Sequence, residues 1–343
     1  MSDHAPRQLT VKEVVRETPD AHSLVFEGPA LPYKPGQFLT LRIPSEQEPT
    51  ARCYSLSSSP HVDDLLKVTV KRTAGGYGSN WVCDSVEVGT VLDVLPPAGH
   101  FTPKDLTADL LLCAAGSGIT PVVSILKSAL AQGTAPVTLL YANRDEGSVI
   151  FAAELRELVE KHPERLVVLH WLETVSGLPS VPAMRELLRP YAGREAFVCG
   201  PAPFMDAVTH ALGELDVPRA KVHLEKFVSL TGDPWAAPVE VVLDGSGATD
   251  PSATTTVKVD LDGATSEVSW PGSRVLLDAL LDAGLDAPYS CRQGNCSACA
   301  CKLVDGEVKM KENNVLEQED LDEGWILACQ SLPLTPSVTV TYD

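Results

Sequence analysis

No apolar run in this sequence approaches the ~20 residues that a bilayer-spanning helix requires, so no membrane segment is expected. The opening MSDHAPRQLT lacks the apolar core of a secretory leader, which makes the cytoplasm the expected location. Basic residues are scarce. Against 46 Asp and Glu stand 27 Lys and Arg, a net charge of −19, without the clustered cations on which nucleic-acid binding runs. The same imbalance suits a protein partner docked by opposite charge. His61, His170 and His210 stand at no ligand spacing and read as ordinary residues. No internal repeat is visible.

What is present is a long chain with changing texture. At 343 residues it exceeds what one hydrophobic core organises, so two or three domains are expected. From Leu9 to Pro97 short β-branched runs (LTVKEVV, SLVFE, QFLTLRI, RCYSLSS, LLKVTVKR, TVLDVL) alternate with Gly and Pro punctuation, the pattern of a small antiparallel barrel. Near Leu110 the texture changes to strands alternating with helices, through DLLLCAAG, a helix ending at Gly133, PVTLLYANR, a helix at 151–161, RLVVLHWL, AFVCG and a helix at 204–214. That alternation implies a parallel sheet covered on both faces. SLTGDPWAAP (229–238) reads as a linker. Beyond it come strands at 239–243, 255–261 and 265–270, a helix at 274–283, a cysteine-rich loop and closing strands, with DGSGATDPSAT (244–254) as a polar loop.

Three of the nine cysteines fall within YSCRQGNCSAC. Cys291, Cys296 and Cys299 stand as C-x4-C-x2-C, and Cys329 follows 30 positions after Cys299. This is the plant-type spacing for a 2Fe-2S cluster held by four thiolates. A loop wrapping a negatively charged cluster must turn tightly and aim N–H groups inward. Gly294 permits the turn, and the small residues Ser290, Asn295, Ser297 and Ala298 permit the close approach. Structural zinc is the rival, but it ordinarily pairs two C-x2-C knuckles, and only one is present. Cys301, on the strand leaving the loop, reads as a non-ligand.

Two glycine turns point to phosphate. In KRTAGGYGSNWV, Gly75, Gly76 and Gly78 bare the backbone and Ser79 and Asn80 open a helix, whose free N–H groups suit a diphosphate. A plain glycine-rich hairpin is the alternative. In CAAGSGITPVVSIL a buried strand delivers a glycine turn to a helix start, where Gly116, Gly118 and the Thr120 amide can meet a pyrophosphate. The pattern is not the Gly-x-Gly-x-x-Gly dinucleotide fingerprint.

Taken with RCYSLSS, VCGP and HLEKF, these motifs resemble the ferredoxin–NADP reductase superfamily, and the C-terminal third resembles a plant-type ferredoxin. The whole chain is similar to the reductase components of multicomponent bacterial oxygenases. HLEKFVSLTGDP is similar to the 3-ketosteroid 9α-hydroxylase and phenylacetyl-CoA epoxidase reductases. The resemblance implies an FAD-binding antiparallel β-barrel (1–104), an NAD(P)-binding α/β domain on a parallel sheet (105–228), a linker (229–238) and an α+β, β-grasp-like ferredoxin (239–343). It implies that Arg52 pairs with the flavin pyrophosphate, Tyr54 packs on the ribityl-flavin region and Ser55 hydrogen-bonds near flavin N5. Residue chemistry agrees, since guanidinium matches a diphosphate and an aromatic ring covers an apolar tricycle. Val70 and Lys71 line the cofactor, and Gly76, Gly78 and Ser79 contact its diphosphate. PAGHF (97–101) closes the barrel. Cys199, Gly200 and Pro201 sit beside the nicotinamide, although Cys199 also reads as a small core cysteine. Glu225 lies near N5, and Phe227 shields the ring until nicotinamide displaces it.

After YAN, Arg144 offers a charge for a 2′-phosphate, but Asp145 and Glu146 repel one, which favours NADH over NADPH. Both acids also read as solvated loop residues pointing away. The implied function is electron transfer from NADH through FAD and the cluster to a terminal oxygenase of Rieske type, by a monomer. An NADPH-dependent reductase of a di-iron oxygenase, or of a P450, is the alternative.

Overall fold

Alternation of inward apolar and outward polar residues builds the N-terminal strands. The computed structural model describes residues 6–45, 49–230, 233–235, 254–261 and 263–342. The strands are β1 (Arg7–Thr18), β2 (Ala21–Glu27), β3 (Phe38–Ile43), β4 (Thr50–Ser55), β5 (Leu66–Lys71) and, after helix α1 (Tyr77–Ser85), β6 (Val91–Ala98). They form a six-stranded sheet in the order β4-β3-β6-β1-β2-β5. An antiparallel bridge between Leu56 and Val68 joins the continuation of β4 to β5, the two edges, and so closes the barrel. Its interior holds Leu9, Val11, Leu24, Phe26, Leu41 and Val68, all buried. Gly36 (φ 94°) sits where a Cβ would fall 1.9 Å from the Phe101 carbonyl oxygen, so the PAGHF segment packs backbone on backbone at this point.

The next elements are β7 (Leu110–Ala115), α2 (Ile119–Gln132), β8 (Val137–Asn143), α3 (Ala152–Lys161), β9 (Leu166–Leu172), α4 (Glu173–Ser176), α5 (Val181–Leu188), β10 (Glu195–Cys199), α6 (Ala202–Glu214) and β11 (Val222–Glu225). Every residue of β7 and β8 is buried, as continuous apolar runs require in a sheet covered on both faces. The sheet is parallel, in the order β11-β10-β7-β8-β9. One layer buries Ile119, Val122 and Leu126 of α2, the other Phe204, Val208 and Leu212 of α6. From β7 the chain first steps outward to β8 and β9, then returns to the opposite side with β10. The strand order therefore reverses between β7 and β10, and that crevice is where open parallel sheets take ligands.

A buried ionic seam fastens the barrel to α2 and α3. Lys127, 4% exposed, places Nζ 2.6 Å from Asp63 Oδ2 and 2.9 Å from Glu154 Oε1. Lys67 reaches Glu154 at 3.3 Å, and the hydroxyls of Ser59 and Ser128 meet at 2.7 Å. Ser124 Oγ donates to the Ser58 carbonyl at 2.6 Å. Removing one member strands its partners, so Lys127→Met is expected to cost about 3 kcal/mol. A lowered midpoint of thermal unfolding would register it, and an unchanged midpoint would mean that water already carries the two carboxylates.

The C-terminal elements are β12 (Thr254–Leu261), β13 (Ala264–Pro271), α7 (Leu276–Asp282), β14 (Ala300–Asp305), β15 (Val308–Met310), α8 (Gln318–Asp322), β16 (Trp325–Leu327), β17 (Ser331–Pro333) and β18 (Ser337–Thr341). A mixed sheet runs β13-β12-β18-β14-β16, with β12 and β18 parallel, and β15 pairs with β17 apart from it. Leu276, Leu277 and Leu280 of α7 pack with Val257, Val259, Trp270 and Val340. The expected strand at 239–243, most of the expected loop at 244–254 and part of the expected linker lie outside the described residues. By contacts the chain divides into two compact units, one of Arg7–Ile43 with Cys53–Phe227 and one of Met1–Pro6, Pro44–Arg52 and Val228–Asp343.

Candidate functional site

The crevice between β7 and β10 is built from glycine. After β7 the chain turns through Gly116 (φ 53°) and a short 3-10 turn, Gly116–Gly118, into α2. Gly118 lies so close to the end of β10 that a Cβ on it would stand 2.1 Å from the Cys199 carbonyl oxygen and 2.8 Å from the Gly200 nitrogen. A Cβ on Gly200 would in turn meet Ala115 Cβ at 2.9 Å. The start of α2 carries no side-chain cap and no acidic residue, so the positive end of the helix meets no carboxylate that would repel an anion. Thr120 is buried, and its Oγ1 donates to the Ser117 carbonyl at 3.0 Å, tightening the turn. Tyr141 Oη donates to the Gly116 carbonyl at 3.1 Å. The structure thus brings Gly116, Gly118, Thr120, Cys199 and Gly200 together, with Pro201 as the exposed residue preceding α6.

Cys199 and Glu225 pair across β10 and β11. Cys199 is fully buried, and desolvation, with the neighbouring Glu225 charge, pushes its thiol well above the ordinary value. Burial pushes the Glu225 carboxyl up to about 8, so near neutral pH it is largely a proton-bearing acid. Phe227, two residues on, is 51% exposed.

On the barrel, Ser55 is buried at the end of β4, Tyr54 is half-buried beside it and Val70 is buried in β5. Lys71 Nζ lies 3.7 Å from Asp20 Oδ2 and 3.9 Å from where a Cβ on Gly116 would be, so this ammonium stands over the nucleotide turn. Helix α1 starts at Tyr77, two residues earlier than the sequence suggested. The physical reason is that Ser79 and Asn80 fold back over the turn rather than capping it. Ser79 Oγ accepts the Thr73 N–H at 3.0 Å, and Asn80 Nδ2 donates to the Gly76 carbonyl at 2.8 Å. Gly75 (φ 71°) has open space around it, and α1 begins uncapped with no acidic residue in its first turn. That bare, uncapped glycine turn fits the diphosphate of FAD. Arg52 shares β4 with Tyr54 and Ser55. It groups with the other compact unit, where Nη1 donates to Thr50 Oγ1 at 2.7 Å and to the Ala51 and Leu230 carbonyls at 2.6 Å and 2.9 Å.

At the exposed turn after β8, Arg144 is held by one acid of its own loop, Asp145. Its Nε donates to Asp145 Oδ2 at 3.1 Å, and Ser148 Oγ donates to Asp145 Oδ1 at 2.7 Å.

Four of the five cysteines of the C-terminal unit converge. Cys291, Cys296, Cys299 and Cys329 are 1%, 9%, 2% and 5% exposed. The Cys291 N–H donates to Cys296 Sγ at 3.3 Å, and the Cys329 N–H donates to Cys299 Sγ at 3.4 Å, while side-chain contacts join the Cys291 thiol to those of Cys296 and Cys329. The N–H groups of Gln293 and Asn295 both donate to Cys291 Sγ at 3.3 Å. Thiols of Cys296 and Cys329, followed by these N–H groups, hold the Cys291 thiol well below its ordinary value. Gly294 (φ 74°) makes the turn, with a Cβ position 2.8 Å from the Glu312 carbonyl oxygen. Among the described residues no three His, Cys, Asp or Glu side chains surround a single ion, a requirement of zinc but not of a two-iron cluster sharing four thiolates. Buried cysteine sulfurs met by backbone N–H groups fit the cluster. Cys301 lies in the apolar core, where burial raises its thiol.

Three functional features escaped sequence reading: the Lys127 seam, the Arg292–Asp278 ion pair at 2.7 Å behind the cysteine loop, and the Gln330 side chain. Only the last had a local signal, its place directly after a ligand candidate.

Comparison with known families agrees with this geometry. The family model for the oxidoreductase FAD-binding domain matches residues 8–102, that for the oxidoreductase NAD-binding domain 112–210, and that for the 2Fe-2S iron-sulfur cluster binding domain 259–334. The chain is 57% identical to the 3-ketosteroid-9-alpha-monooxygenase ferredoxin reductase component of Mycobacterium tuberculosis, over 100% of this chain and 97% of that one. It is 35% identical to a component of the 1,2-phenylacetyl-CoA epoxidase of Escherichia coli, over 98% and 97% of the two chains. In fold it is similar to phthalate dioxygenase reductase, with a TM-score of 0.58 at 24% identity, each chain covered to 98%. The chain belongs to the oxygenase reductase components that join an FAD-binding, an NAD-binding and a 2Fe-2S ferredoxin domain in one polypeptide and pass electrons to an oxygenase.

Proposed function

We propose that this reductase draws electrons from NADH and delivers them to the Rieske-type terminal oxygenase of a 3-ketosteroid 9α-hydroxylase system. The 57% identity to a reductase component of such a system, against 35% to the epoxidase component, supports the steroid reading. When bound, FAD supplies the conversion of paired electrons into single ones, and the 2Fe-2S cluster supplies a one-electron carrier. The protein's part is to hold and to exclude. In this reading Gly76, Gly78 and Ser79 hold the flavin diphosphate, with Tyr54, Ser55, Val70 and Lys71 along the cofactor and Arg52 on its pyrophosphate. Gly116, Gly118 and Thr120 hold the dinucleotide, and Cys199, Gly200 and Pro201 seat the nicotinamide. Glu225 holds a proton near flavin N5, and Phe227 covers the ring. Cys291, Cys296, Cys299 and Cys329 hold the cluster. The domain boundaries remain those at 104/105, 228 and 238/239, in a cytoplasmic monomer.

For the donor, the carrying observation is the Arg144–Asp145 pair. The cation that would greet a 2′-phosphate is already engaged by a carboxylate, whose own charge repels a dianion. Titrating the purified, coloured protein with each nucleotide tests the reading. NADH is expected to bleach the flavin and cluster bands at concentrations where NADPH leaves them, and preferential bleaching by NADPH would overturn it.

Glu225 gives the site a pH dependence whose sign is fixed. Its native value of about 8 lies above the ordinary 4.5, so the folded state favours the neutral acid. The stability this contributes is full below about 4.5 and is lost as pH climbs through about 8. Thermal midpoints of the wild type are therefore expected to fall between about pH 5 and 8, where the unfolded carboxyl has ionised and the folded one has not, and those of Glu225→Gln to fall distinctly less. Parallel curves would mean that Glu225 stays ionised in the folded protein.

A further inference from the structure

We propose that the Gln330 carboxamide tunes the cluster, raising its reduction potential by donating a hydrogen bond to the Cys329 thiolate. The inference rests on Cys329 being a ligand, as proposed above. Gln330 is 5% exposed and stands between Cys329 and β17. Its Nε2 donates to Cys329 Sγ at 3.4 Å and to the Arg292 carbonyl at 2.9 Å. The two protons of a primary amide allow both bonds at once. The flipped orientation would set Oε1 against a carbonyl oxygen and a thiolate, two acceptors, and satisfy neither.

The groups around the amide are fixed. The Gln330 N–H donates to the Leu327 carbonyl at 2.9 Å, and the Gln330 carbonyl accepts the Lys311 N–H at 3.0 Å. Arg292 takes a left-handed backbone (φ 56°), and its guanidinium is held 2.7 Å from Asp278 Oδ1 and 4.6 Å from the Tyr289 ring centre. The carbonyl that orients the amide is therefore not free to swing. Backbone donors at Gln293, Asn295 and Cys329 exist whatever the side chains are. The Gln330 donor exists only because the residue is glutamine, so it is a place where sequence sets potential. Reduction adds one electron, and part of that charge falls on the ligand sulfurs. A donor at Cys329 Sγ favours the more negative state.

Gln330→Met keeps the side-chain length and removes both donors. In the purified holoprotein, EPR-monitored redox titration is expected to show the reduced-to-oxidised ratio at a set potential falling about tenfold, about 59 mV for a one-electron couple. Iron and sulfide content and NADH-dependent ferricyanide reduction stay at wild-type values. An unshifted potential in a fully loaded variant overturns the inference. Cys329→Ser separates the two layers, because a retained cluster there sinks the ligand reading, whereas a lost one leaves Gln330→Met to judge the tuning alone. If Gln330→Met assembles no cluster, Gln293→Ala protein carrying glutamine labelled with nitrogen-15 at the side-chain amide decides. A hyperfine coupling to that nitrogen in the reduced state supports the donor, and its absence overturns it.

Discussion

Serine in place of Cys329 is expected to abolish the cluster's broad red absorbance and its EPR signal, while NADH-dependent ferricyanide reduction persists. Cys329 approaches the other three cysteines from a separate strand ending, and its N–H donates to Cys299 Sγ at 3.4 Å. A hydroxyl is a poor soft ligand and does not ionise near neutrality, so iron loses one of four anionic donors. The FAD-binding and NAD-binding matches, at residues 8–102 and 112–210, do not include the cysteine loop, so electrons from NADH still reach a small acceptor that takes them from the flavin. Reduction of a protein acceptor such as cytochrome c, which draws on the cluster, is expected to fall by on the order of a hundredfold or more, since the carrier itself is gone. A variant that keeps its full cluster spectrum would remove Cys329 from the ligand set.

The second large effect belongs to Gly118→Ala. Its Cβ would stand 2.1 Å from the Cys199 carbonyl oxygen and 2.4 Å from the carbonyl carbon, both backbone atoms, so no rotamer relieves the clash. The turn opening α2 must move away from the end of β10, which widens the crevice proposed to seat the nicotinamide. A displacement of about 1 Å at a reacting centre costs on the order of 10²-fold in rate. The value of kcat/KM for NADH is expected to fall by that much, with the cluster signal unchanged. Gly213→Ala is the control, since a Cβ there meets nothing within 4 Å. Near-wild-type turnover in Gly118→Ala would mean that the crevice accepts a wider gap than its packing implies.

Much of this was legible in the sequence. Strand periodicity and Gly/Pro punctuation gave the barrel, because period-two alternation is imposed by the pleat itself. The continuous apolar runs of β7 and β8 announced a sheet buried on both faces. The cysteine spacing named the cluster, because ligand geometry constrains neighbours along the chain. The helix start at Tyr77 was misplaced by two residues, since Ser79 and Asn80 look like caps and instead bind back to Thr73 and Gly76.

Sequence by itself determined the local chemistry: which turns bare their N–H groups, which thiols cluster, which strands are covered. Only the tertiary structure decided what those pieces meet. It closed the barrel through Leu56 and Val68, set Gly118 against Cys199 and Gly200, gathered Asp63, Lys127 and Glu154, and aimed the Gln330 amide at Cys329. The reason is physical: hydrogen-bonding and steric preferences act between neighbours along the chain. Burial of a charge and contact between backbones instead depend on which distant segments packing brings to within a few ångströms.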